Sequence, residues 1–93
     1  MDVEGLNNLI FYAIDKASPY ALAQHEETNS LVKIQHLSLQ QLAITSQGLA
    51  MMWQWINASS GQYGAGPVSP DRGSSVVTVK DVVDAVYAAT GMN

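Results

Sequence analysis

An all-α fold is what this sequence predicts, and three observations carry the prediction. An N-terminal stretch places apolar residues at i, i+3, i+4 spacing. A central stretch from Leu31 to Asn57 repeats apolar residues at heptad spacing, and a C-terminal stretch sets a valine stripe behind a helix-capping pattern. The expected molecule is an elongated helical protein with one long central helix, a shorter N-terminal helix and a C-terminal helix, packing into a multi-subunit assembly. Its expected divisions are a helical assembly domain over 1–59, a flexible linker over 60–76 and a C-terminal helix over 77–93.

The first helix spans Asp2 to Ala17. Leu6, Leu9, Ile10, Ala13, Ile14 and Ala17 form its apolar stripe, and Asp2 and Glu4 sit near the positive end of its dipole. Ser18-Pro19 then has the form of an N-cap followed by proline at the first helical position, which would restart the chain as a new helix. The same dipeptide could instead kink one continuous helix. Beyond Pro19 no proline and no glycine except Gly48 occurs before Ser59, so the chain can form a helix of up to 41 residues or two stacked helices. His25 to Asn29 is the expected place for a break, because one helix of that length would span about 60 Å.

The central stretch asks for neighbours on two sides. Val32, Gln35, Leu39, Leu42, Ser46, Leu49, Trp53 and Ile56 form one seam, and Ile34, Leu37, Gln41, Ile44, Gly48, Met51 and Trp55 form a second. The offset of two residues puts the seams roughly 200° apart on a helix. No Asp, Glu, Lys or Arg occurs from Ile34 to Pro70, although the outer face of a helix in a soluble monomer ordinarily carries charge. Self-assembly is the inference, although a partner protein would serve the two faces equally well. The expected assembly interface is Val32, Ile34, Leu37, Leu39, Leu42, Ile44, Gly48, Leu49, Met51, Met52, Trp53, Trp55 and Ile56. Gly48 implies close approach of a neighbouring backbone. Trp53 and Trp55 lie on opposite seams, so a chain this small should bury one and offer the other to a subunit contact.

Residues 60–76 are rich in Gly, Pro and Ser and predict a loop. Its GQYGAG run has neither the dinucleotide-binding nor the P-loop spacing. Thr78 followed by Asp81 then fits a capping box, with Val79, Val82, Val83, Val86 and Tyr87 as an apolar stripe, Asp81 and Asp84 on the solvated edge and Gly91 as the stop. A short strand or extended lead-in over Ser75 to Lys80 is expected to precede this helix.

Composition excludes several classes of function. The chain has 93 residues, no cysteine and a net charge of -4 with four basic residues. Disulfides and thiolate metal sites are therefore out, and neither nucleic acid nor an anionic membrane surface finds the clustered positive charge it needs. No run approaches the ~18 apolar residues of a membrane span, and MDVEG lacks the basic start of a secretory signal, so a cytoplasmic location is expected. His25 and His36 stand eleven apart with no acidic residue at a metal-binding spacing, and adjacent Glu26 and Glu27 do not face each other on a helix. No cofactor, metal or catalytic constellation is predicted, and the chain is not expected to be an enzyme.

The central residues carry a resemblance. Asn29, Leu31, Gln35, Gln40, Gln41, Ala43, Thr45, Gln47, Gly48, Leu49 and Ala50, ending in Met52-Trp53, resemble the Gln-, Ala- and Thr-rich helix of the RebB-like family of R-body proteins, also called the killing-trait family. Ser18 to Ala23 resembles that family's Pro-Ala-hydrophobic stretch, set closer to the Gln-rich part, and residues 60–93 fall outside the likeness. The resemblance implies a small bacterial structural protein that polymerises with itself, and with paralogous subunits, into a coiled ribbon, some members of the family unrolling on acidification. Under that implication Asp15, His25, Glu26 and Glu27 are the candidate pH-responsive groups. Two other classes compete: a needle or inner-rod type subunit of a secretion apparatus, and a small adaptor or chaperone that grips a partner helix with the Met/Trp cluster.

Overall fold

The computed structural model describes residues 3–90. Helix α1, Val3–Ala17, buries Leu6, Leu9, Ile10, Ala13 and Ile14, the stripe its spacing predicts. It stops at Ser18, where the Ser-Pro pair does not start a new helix. The Ser18 hydroxyl donates to the Leu42 carbonyl at 2.8 Å and accepts from the Tyr20 N–H at 3.3 Å, a local cap-like turn that no helix follows. Ala21 then takes a left-handed conformation, φ 50°. A 3-10 turn, Leu22–Gln24, follows, held by the Asp15 carboxylate accepting from the Leu22 N–H at 2.7 Å.

The expected central helix is present only in pieces. Helix α2 is Leu31–Ile34 and helix α3 is Ser46–Ser59, and between them the chain breaks twice. Ser38 starts an isolated helical turn through a reciprocal capping box: its hydroxyl accepts from the Gln41 N–H at 3.0 Å, and the Gln41 side chain accepts from the Ser38 N–H at 2.8 Å. That turn ends in a Schellman arrangement, with Ile44 N–H donating to Leu39 O and Ala43 N–H to Gln40 O, both at 3.0 Å, and Ala43 at φ 58°. Thr45 then caps α3 by accepting from the Gly48 N–H. The helical period was real, but three local hydrogen-bonding residues cut it into turns.

Residues 60–76 pack as part of the same body. A 3-10 turn covers Ser60–Tyr63, and helix α4, Pro70–Ser74, begins with Ser69 as its cap and proline at its first position. The Asn57 amide pairs with both the N–H and the C=O of Val68, and the buried Trp53 indole N–H donates to Gly73 O at 2.8 Å. A Cβ on Gly73 would stand 2.9 Å from that indole nitrogen, so only glycine allows the ring to lie there.

Helix α5, Val79–Ala88, has the predicted capping box between Thr78 and Asp81, and Val79, Val82, Ala85 and Val86 are buried. Its lead-in is extended and pairs with the broken segment. Ser38 and Thr78 face each other in an antiparallel bridge, with Leu39 N–H donating to Val77 O at 2.9 Å and Val79 N–H to Leu37 O at 3.0 Å. Gly91, the expected stop, lies outside the described residues. The Tyr87 hydroxyl donates to Asn7, tying α5 to α1.

Among the described residues five helices thus close around one core in which α1 packs chiefly on α3. The principal extents are 31, 26 and 20 Å with a radius of gyration of 12.0 Å, close to the ~12 Å of a compact chain this long. The expected elongated shape is therefore corrected. A continuous helix from Leu31 to Asn57 would be about 40 Å long and would not fit inside these dimensions.

Candidate functional site

The thirteen residues expected to form an assembly interface divide three ways. Ile34, Leu39, Leu42, Met52, Trp53 and Ile56 are buried in the chain's own core. Leu37, Ile44, Gly48 and Leu49 are half-buried. Val32, Met51 and Trp55 remain exposed, at 76, 62 and 44 %. The core therefore takes most of the first seam, and what is left for a neighbour comes mainly from the second.

Met51 and Trp55 stand one turn apart on α3, so they share a face. Opposite them, α1 contributes Tyr12 and Lys16, again one turn apart. The Tyr12 and Trp55 rings approach to 5.9 Å between centroids at 47°, and the Lys16 ammonium lies 4.9 Å from the Tyr12 ring and 5.5 Å from the Trp55 ring. Both contacts fall within cation-π range. Between the helices Ala13, Ala17 and Gly48 floor a hollow of about 210 Å³ that Met51, Met52, Trp55 and Lys16 edge. Gly48 eases this crossing: a Cβ there would sit 3.3 Å from the Ala17 carbonyl oxygen, a tight contact that the end of α1 would have to give way to. The neighbouring backbone that Gly48 implied is this chain's own α1.

Tyr12 and Lys16 were not among the expected interface residues. They lie off the apolar stripe of α1, and nothing in the linear sequence pairs them with α3. Trp55 was legible as the second tryptophan of a chain able to bury only one, and Trp53 is the buried one.

The candidate pH-responsive residues lie on two segments. His25, Glu26 and Glu27 are exposed between the 3-10 turn and α2, where the Glu26 carbonyl accepts from Lys33 Nζ at 2.7 Å. Asp15 is half-buried and committed to the Leu22 N–H. Among the described residues no three His, Cys, Asp or Glu side chains group closely enough to hold a metal ion, and no helix is long and apolar enough to cross a membrane. A second hollow, about 470 Å³, opens between α3 and α4 beside Leu49, Ala50, Trp53 and Pro70. Its indole and amide groups are already paired with backbone, which leaves it an apolar recess.

No family model matches the chain, and neither a curated protein nor a solved structure is similar to it.

Proposed function

We propose that the chain is a structural subunit that associates with further copies of itself, using the α1–α3 face that Tyr12, Lys16, Met51 and Trp55 form. One observation carries the reading: Trp55, 44 % exposed, lies tilted against the exposed Tyr12 ring on the helix face that also exposes Met51, with the Lys16 ammonium over both rings. Aromatic and methionine side chains clustered at the edge of an apolar hollow are the usual composition of an association hot spot. The absence of ionised side chains from Ile34 to Pro70 supports the same reading, because two copies meeting there have little like charge to oppose them. A coiled ribbon of the R-body kind is the form that the sequence resemblance adds.

The hollow between α1 and α3 favours one competing reading, an adaptor that seats a side chain of a partner helix. The two readings separate in one experiment. Light scattering coupled to size-exclusion chromatography, with electron microscopy at pH 7 and pH 5, should show concentration-dependent association of the wild type. Met51→Glu/Trp55→Glu should remain monomeric and folded, since both positions are exposed. A wild type that stays monomeric at all concentrations would rule out the structural reading and leave the adaptor.

A further inference from the structure

The segment between α2 and α3 carries two instructions at once. From Gln35 to Gln47 it has no glycine, no proline and no Asp, Glu, Lys or Arg, and Leu37, Leu39, Gln40, Gln41, Leu42 and Ala43 are good helix formers. Yet the chain is folded back at two points. The second of these is held by Ala43 in the left-handed region at φ 58°, the position of a Schellman stop where glycine is the usual residue. Alanine is the best helix former and a poor left-handed residue, so this stop is weak by its own chemistry.

The rest of the restraint comes from α5. Leu37 O and Gln35 O accept from Val79 and Lys80, the first two N–H groups of that helix, at 3.0 and 3.1 Å. The segment therefore caps α5 and is held by it. Leu39 and Leu42 are 6 and 3 % exposed, and in the compact chain their burial outweighs the strain at Ala43. In a continuous helix the same two leucines would align with Leu49, Trp53 and Ile56 in one seam, and only a neighbouring molecule could cover them.

We propose that residues 35–45 are a switch segment, which becomes helical on association and joins α2 to α3 in one rod from Leu31 to Ser59, its seams packing on a second copy of this chain. This rests on the self-association reading and says how that association proceeds. The compact fold is the storage form, in which Leu39, Leu42, Trp53 and Ile56 of the first seam are spent on the chain's own core and the Met51–Trp55 side of the second is already offered. The rod is the assembling form, about 44 Å long by helix rise and longer than any dimension of the compact molecule. Helix formation and association are then one coupled step.

A reversible lock tests this. Ser38 and Thr78 are a non-hydrogen-bonded antiparallel pair, the geometry in which Cα atoms approach to about 4.5 Å and a disulfide closes without strain. The chain has no other cysteine to interfere. In Ser38→Cys/Thr78→Cys the oxidised form should stay compact and monomeric at concentrations at least ~10-fold above those at which the reduced form associates. Circular dichroism of the associating wild type should gain helix on the scale of the 11 residues from 35 to 45. Ala43→Gly, which relieves the left-handed residue and weakens the rod, should raise the concentration needed for association about 10-fold. Equal association of oxidised and reduced forms, or association of the wild type with no gain of helix, would overturn the switch while leaving self-association standing. A wild type that never associates would remove both.

Discussion

Asp81 shows how much one side chain can be asked to do in so small a protein. Its carboxylate accepts from the N–H groups of Thr78 and Val77 at 3.0 and 2.9 Å, and these bonds hold its pKa below the ordinary 3.8. The sign of the consequence follows from which form the bonds favour. The folded state prefers the charged carboxylate more strongly than the unfolded chain does, so its stabilisation is complete above the ordinary pKa and is lost as pH falls through the lowered one. Asp81→Asn should therefore be less stable than the wild type at pH 7, and the gap should close below about pH 3.8. Thermal unfolding of both proteins across pH 2 to 7 checks this, and a gap constant with pH would remove the charge from the account. Gly73 is a second such position, since it gives Trp53 both the space for its ring and the carbonyl that its indole N–H requires.

At the scale of elements, the instructive comparison is between two Ser-Pro pairs. Ser69-Pro70 starts α4, with the Ser69 hydroxyl accepting from the Arg72 N–H, while after Ser18-Pro19 the chain leaves the helical region at Ala21 and the Ser18 hydroxyl is anchored to Leu42 O. The dipeptide is the same in both places, and the tertiary partner decides. The stripe of α1 and the capping box of α5 were legible in the sequence because both depend on residues within one turn of each other. The breaks at Ser38 and Thr45 also had local signals, a Ser-x-x-Gln box and a Thr three before Gly48, but the strong heptad period masked them. The pairing of α1 with α3 that creates the aromatic face was not legible, because it joins residues about forty apart. Ala43 offers a quantitative check on the second break. Relief of the left-handed penalty, about 1–2 kcal/mol, less the greater unfolded-state entropy of glycine, leaves about 1 kcal/mol in favour of Ala43→Gly. The melting temperature should rise by about 4–8 °C, and a fall would mean that Ala43 is unstrained.

At the scale of the whole molecule, charge decides what kind of partner the α1–α3 face can take. Each copy carries a net -4, so two copies at a centre separation of 26 Å, one molecular width, repel even though their contact surfaces are nearly neutral. At 10 mM salt, where the Debye length is about 30 Å, this amounts to about 1 kcal/mol, or about a sixfold weakening of a homodimer. At 150 mM it is almost entirely screened. Association between copies should therefore tighten about sixfold between 10 and 150 mM NaCl, measured by sedimentation equilibrium, whereas binding of a basic partner protein should weaken over the same range. The same charge bears on acidification. The sequence pI is about 4.7, so lowering the pH from 7 toward 5 removes the repulsion without any dedicated sensor. The two origins of acid response differ in their salt dependence: promotion by net charge should vanish at 150 mM NaCl, and promotion that survives there requires a titratable carboxylate or imidazole at the contact between copies.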